Sequence, residues 1–180
     1  MLFPKSDYRY IQIERAYNTA KDAFRGIKRE GGDRYFEHIR AVALIIIDYL
    51  RVSDFEIIIA AILHDIVEDI PSWTIERVRL EFGDRVALLV DYMTKPSKER
   101  FGSKEEVNRI YHNRFRVAPR DFFIIKLADR LHNLLTLDDC PKEKQERKIE
   151  ETKIYYLPYA EQNIILFHEI NEAIQILEAA

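Results

Sequence analysis

Apolar residues in this chain recur at helical spacing, and stretches that alternate apolar with polar positions are nearly absent. Only 5 glycines punctuate 180 residues, so little marks hairpin turns, and the pattern predicts an all-α fold. Ser53-Asp54-Phe55-Glu56 has the form of a capping box and opens a helix over the apolar run Ile57 to Leu63. That helix is predicted to continue through Asp69 and to stop at Pro71, because the residue before a proline avoids the helical region. Asp33 is expected to cap a helix carrying His38 in its first turns and the apolar stretch Ala41 to Tyr49 beyond. Ser103-Lys104-Glu105-Glu106 is a second capping box, and Gly83 reads as a stop with Asp84 capping Arg85 to Met93. Pro119 suits the first turn of a helix reaching about Leu137. Pro141 starts the last helical region, which Pro158 kinks or divides.

The bulk numbers fit one domain over residues 1–180, a helical bundle with 47% hydrophobic residues and enough chain to bury a core. Charged residues reach 33%, yet net charge is only −3, without the basic excess of a nucleic-acid binder. The single cysteine, Cys140, excludes an internal disulfide and fits a reducing interior. The N-terminus lacks the pattern of a secretion signal. Both greasy runs, Val42 to Ile47 and Ile57 to Leu63, fall far short of the roughly 20 residues that span a bilayer. A cytoplasmic protein without a membrane partner is expected.

Chemistry concentrates in His64-Asp65-Ile66-Val67-Glu68-Asp69. On one continuous helix His64 stacks with Glu68 and Asp65 with Asp69, while Ala60 and Ala61 one turn upstream leave room beside them. The apolar flanks predict burial, and buried charges need partners or a metal. A second polar stripe runs along Lys126, Asp129, Asn133 and Thr136, beside the apolar Ile124, Leu127, Leu131 and Leu135. Two imidazoles and two carboxylates, His38, His64, Asp65 and Asp129, suit one first-row divalent ion: Mn²⁺, Fe²⁺ or Zn²⁺. Such an ion acidifies water and polarises a phosphoryl group, and Glu68 and Asp69 would accept the proton. A lone His-Asp pair usually sits on a solvated surface; the apolar flanks and the second acidic pair argue against that here.

These motifs resemble the HD-domain metal-dependent phosphohydrolases, and within them the hydrolase domain of the RelA/SpoT alarmone family. Gly32-Asp33-Arg34-Tyr35-Phe36-Glu37-His38 resembles the approach to the family's first metal-ligand histidine, and His64 to Asp69 matches its HDxxED. Glu81 to Ala87 with Thr94-Lys95, the near-identical Lys126-Leu127-Ala128-Asp129-Arg130-Leu131-His132-Asn133, and Glu151 through Ala160 follow in family order over roughly residues 15 to 160. The resemblance implies hydrolysis of the 3′-pyrophosphate of guanosine tetra- or pentaphosphate, with Mn²⁺ as the usual metal. It matches His38, His64, Asp65 and Asp129 to metal ligands, and Glu68 and Asp69 to the catalytic acidic pair. Asn133 and Thr136 match nucleotide-contacting positions, and Lys95 and Tyr156 match positions on the substrate side. The length is that of the stand-alone small alarmone hydrolases.

Two departures concern the nucleotide. Arg29-Glu30-Gly31-Gly32 stands where the family carries Arg-Lys-Ser-Gly, so Arg29 is kept and Glu30 reverses a charge, with Lys28 or Arg25 placed to compensate. Leu135 stands where the family often has Arg. Guanine against adenine therefore stays open, as does the choice between this reaction, another nucleotide phosphohydrolase acting on a 2′- or 5′-phosphate, and a binding module without turnover. Lys95, Lys98 and Arg100 lie in a loop suited either to a pyrophosphate or to solvent. His132 reads as a packing residue or a partner of the metal ligands. His112 and His168 read as structural or surface residues, and Lys142 to Lys153 as a solvated face.

Overall fold

A computed structural model describes residues 2–96, 103–138 and 140–179; Lys98 and Arg100 lie outside them. Those residues form helices α1 (Tyr8–Ala23), α2 (Tyr35–Leu44), α3 (Phe55–Ile62), α4 (Ile66–Asp69), α5 (Ile75–Phe82), α6 (Asp84–Met93), α7 (Lys104–Arg114), α8 (Arg120–Leu135), α9 (Lys142–Tyr155), α10 (Leu157–Asn163) and α11 (Phe167–Ala179). No β-strand is present among the described residues, as the pattern predicts.

Two helices are buried on all sides, which marks them as the centre of the fold. In α3 every residue from Ile57 to Ile62 is buried, and in α8 every residue from Phe122 to Leu131. Helices α1, α2, α6 and α8 surround α3; α2, α6, α10 and α11 pack on α8. The N-terminal helix α1 had no clear signal in the sequence, because its fully buried residues are the small Ala16 and Ala20, which let it lie close against α3. Arg85 of α6 bonds Asp54, Glu56 and Asp121 at 2.8–3.1 Å, tying the starts of α3 and α8 together.

Several boundaries differ from the sequence reading. Asp54, not Ser53, caps α3, its carboxylate accepting from the backbone of Glu56 at 3.0 Å. The predicted helix through Asp69 breaks at Leu63–Asp65, where Leu63 (φ −103°, ψ 5°) and Asp65 (φ −103°, ψ 0°) leave helical geometry for the sparsely used bridge region. His64 and Asp65 thus sit on a corner between α3 and α4 rather than on the turns of one helix. Asp33 does not cap α2, which begins after Arg34 without a side-chain cap. It belongs instead to a small hairpin: Lys28 and Arg34 pair antiparallel, Arg29 N–H donates to Asp33 O at 2.9 Å, and Gly32 turns the chain at φ 90°. Helix α8 ends at Leu135, short of Leu137, and Asp84 is the first residue of α6 rather than its cap. Pro158 divides the last region, standing in the first turn of α10.

Candidate metal centre and nucleotide pocket

The corner after α3 brings His64 and Asp65 against His38 of α2 and Asp129 of α8. His64 is fully buried; its Nδ1 lies 2.8 Å from the Ala61 carbonyl and donates to it. Its Nε2, 2.9 Å from Asp65 Oδ2, makes no aligned hydrogen bond and is a buried polar atom without a partner. His38 Nε2 stands 3.3 Å from Asp129 Oδ1 and 3.8 Å from Asp65 Oδ2, and His64 Nε2 is 3.9 Å from Asp129 Oδ1. One ligand atom each from His38, His64 and Asp65 falls within a 4.8 Å cluster. An orphaned imidazole nitrogen facing two carboxylates is a donor set that fits a divalent metal ion.

The local field favours positive charge. Burial disfavours a charged His64 ring, yet Asp65 and Asp129 outweigh it and push its pKa up to about 9. Burial likewise works against ionised Asp129, but Lys126 at 3.0 Å and the two histidines hold its carboxyl well below the usual range. Asp65 is drawn down to about 2 by His64 in spite of burial. The field that draws a proton onto His64 is the one that would draw a cation.

Supporting groups hold these four side chains. Tyr35 OH donates to Asp65 Oδ2 at 2.7 Å, and Asn133 Nδ2 donates to Asp129 Oδ1 at 2.6 Å. His38 Nδ1 meets His132 Nδ1 at 2.9 Å. Tyr35 carried no sequence signal beyond membership of its motif, whereas a partner of the metal ligands is one of the two readings the sequence left open for His132. Glu68 and Asp69 follow on α4 as exposed residues, the Asp69 carboxyl itself being partly shielded. Burial of its carboxyl, then the charges of Asp65 and Glu68, raise Asp69 to about 6. Glu68 accepts the backbone N–H of Lys95 at 3.1 Å.

Arg29 extends from the hairpin across the end of α8, donating to Asn133 Oδ1 at 2.6 Å and Thr136 Oγ1 at 2.7 Å. It borders two adjoining cavities. One, of about 120 Å³, is walled by Arg29, Arg130, Asn133, Lys144 and Lys148; the other, of about 270 Å³, by Glu30, Asp33, Thr136 and Asp138. Glu30 pairs with Lys144 of α9.

Not every residue expected on the substrate side gathers here. Lys28 does not: neighbours in an extended pair face opposite ways, and Lys28 lines a separate cavity on the far side of the hairpin. Tyr156 is buried, with Arg130 stacked 3.8 Å over its ring, and borders none of these cavities. Lys95 borders a third cavity of about 400 Å³ between α7 and α9. The solvated-face reading of Lys142 to Lys153 fails at Lys148 and Glu151, which turn inward. Glu151 accepts from Lys148 at 2.9 Å and from Arg130 at 3.3 Å. Burial and then Arg130 push Lys148 down to about 8, while Arg130 and Lys148 overcome burial to bring Glu151 down to about 2.

The family model described as HD domain matches residues 16–164, and the chain belongs to that family. Its relatives include a GTP pyrophosphokinase of Streptomyces coelicolor, 42% identical over 151 residues that cover 83% of this chain and 17% of that protein. They also include the bifunctional (p)ppGpp synthase/hydrolase SpoT of Escherichia coli K12, 36% identical over 152 residues, 83% of this chain and 21% of that protein. The chain thus spans about a fifth of the length of the curated relatives it matches. A solved structure of a metazoan SpoT ortholog that hydrolyzes ppGpp shares the fold with a TM-score of 0.79, at 23% identity over 96% of each chain. Among the described residues no helix is long and apolar enough to cross a membrane.

Proposed function

We propose that the protein is a metal-dependent phosphohydrolase that removes the 3′-pyrophosphate of guanosine tetra- or pentaphosphate, leaving GDP or GTP. The observation that carries this reading is the abutment of two unlike sites. An imidazole–carboxylate cluster stands one hydrogen bond, Asn133 to Asp129, from a cavity bordered by Arg29, Arg130, Lys144 and Lys148. The first suits a cation and the second a multiply charged phosphate. SpoT of Escherichia coli is named for both synthesis and hydrolysis; carboxylates poised beside a metal site are the equipment of the hydrolytic direction.

His38, His64, Asp65 and Asp129 would hold the ion; the family resemblance points to Mn²⁺, and the mixed N/O set also suits Fe²⁺ or Zn²⁺. The ion would supply Lewis-acid polarisation of the phosphoryl group and acidification of water. Glu68 takes the proton of the attacking water, and Asp69 relays it to solvent. The cations of the smaller cavity hold the phosphates and offset charge developing on them. Arg29, Asn133 and Thr136 contact the nucleoside. Glu30 supports guanine rather than opposing it: its carboxylate accepts hydrogen bonds only, and guanine alone presents adjacent N1–H and N2 amine donors.

The test is product analysis after incubating Mn²⁺-loaded protein with guanosine and adenosine 3′-pyrophosphates. Pyrophosphate from the guanosine substrate supports the proposal. Orthophosphate from another phosphorylated nucleotide would redirect it to a different phosphohydrolase, and tight binding without product would leave a binding module.

A further inference from the structure

The far side of the hairpin that carries Arg29 opens on a cavity of about 620 Å³ that the proposed reaction does not use. Five cations border it: Lys21 and Arg25 from the end of α1, Lys28 and Arg34 from the hairpin, and Arg40 from α2. Glu37 is the one acid on its wall among the described residues. Arg25 is paired with Asp22 at 2.6 Å and Arg40 with Glu37 at 2.8 Å. Lys21, Lys28 and Arg34 have no ion pair among the described residues.

This grouping opposes its own local structure. Lys28 and Arg34 face each other across the antiparallel bridge, where like charges disfavour pairing. Lys21, in the last turn of α1, and Arg25, in the turn that follows it, line the same wall. An anion that bridges Lys28 and Arg34 relieves that repulsion. The walls are already fixed: Tyr17 packs edge-on to Phe36 at 4.9 Å, and Phe24 stacks on Tyr35 at 5.0 Å.

We propose that this cavity is a second anion site, which takes a small ligand carrying a diphosphate group, either free pyrophosphate or a nucleoside diphosphate. A polynucleotide is the poorer fit, because the cations converge on one concave pocket rather than along a track. The ligand reaches the first site through two contacts. Lys28 and Arg34 form the bridge next to Arg29 in the hairpin, and Phe24 on the cavity wall stacks on Tyr35, whose hydroxyl holds Asp65. Binding therefore stabilises the hairpin in the position that aims Arg29 at Asn133 and Thr136.

The site is tested by calorimetric titration of the as-purified full chain with inorganic pyrophosphate and, separately, with ADP. Lys21→Gln/Arg34→Gln should weaken the binding at least tenfold, with the circular dichroism spectrum unchanged. Lys148→Gln, which weakens only binding in the cavity beside Asn133, should leave the component that the double variant removes within twofold. Tighter binding of ADP than of pyrophosphate assigns the ligand to nucleotides; equal or weaker binding assigns it to the free diphosphate. Loss of binding in Lys148→Gln but not in the double variant would overturn the proposal, as would absence of binding to the parent at millimolar ligand. None of these outcomes depends on which nucleotide the protein hydrolyses.

Discussion

His38 and His132 meet Nδ1 to Nδ1 at 2.9 Å, so one ring must donate to the other. Burial and the neighbouring His38 bring His132 down to about 4, which keeps it neutral near pH 7. With His132 accepting, His38 carries its proton on Nδ1 and presents a bare Nε2 toward Asp129 and Asp65. His132 is therefore a positioning residue that fixes the tautomer of a metal ligand. Asparagine places an acceptor oxygen near the position of Nδ1, whereas leucine offers none. His132→Leu should lower Mn²⁺ affinity about 10- to 100-fold, and His132→Asn should recover most of it, measured by competition with a chelator.

Asp129 does two jobs that its variants can separate. It would hold the ion, and it neutralises Lys126, a buried ammonium 3.0 Å away. Removing it strands that charge, a change on the order of 3–5 kcal/mol. Asp129→Ala should therefore lose metal and unfold at much lower urea. Asp129→Ala/Lys126→Met should regain stability while still lacking metal. Asp65→Ala should lose metal with a smaller loss of stability, since Asp65 is partly exposed. Urea melts and metal analysis on the same preparations decide the matter.

Glu68 is exposed on α4 and, among the described residues, is bonded only to a backbone N–H, that of Lys95. Glu68→Gln keeps that hydrogen bond and removes the base. The rate should fall about 10²-fold or more at unchanged metal content, in a steady-state assay on the guanosine substrate. Undiminished turnover would strip Glu68 of its role.

His112 stacks on Tyr155 at 3.9 Å with both ring nitrogens buried and without hydrogen-bond partners among the described residues. Burial outweighs the nearby Glu151 and lowers its pKa to about 4 from an ordinary 6.5. Between those values the unfolded chain binds the proton and the folded one does not. The stability that His112 contributes is thus complete above pH 6.5 and falls away toward pH 4. His112→Phe keeps the stacking and should flatten this slope, making the variant more stable than the parent at pH 5 in chemical denaturation.

The all-helical class was legible because apolar residues such as Ile57 to Leu63 and capping signals such as Ser103 with Glu106 are local properties of the chain. So was the association of His38, His64, Asp65 and Asp129, through motif order. The break at Leu63–Asp65 was not, since an apolar run reads the same whether the helix continues or turns a corner. Nor was Asp33, whose capping chemistry serves equally in a hairpin turn. Lys28 and Arg29 show the limit most clearly. They are adjacent in sequence, and only the Lys28–Arg34 bridge sends one to the nucleotide cavities and the other away from them.

The most direct test of the account is a Mn²⁺ titration of chelator-stripped protein, reading bound metal and pyrophosphate release from guanosine tetraphosphate on the same samples. Saturation at one ion per chain, with release rising in proportion and both lost in Asp65→Ala, is the predicted result. Full release from metal-free protein, or metal bound as tightly by Asp65→Ala as by the parent, would contradict it.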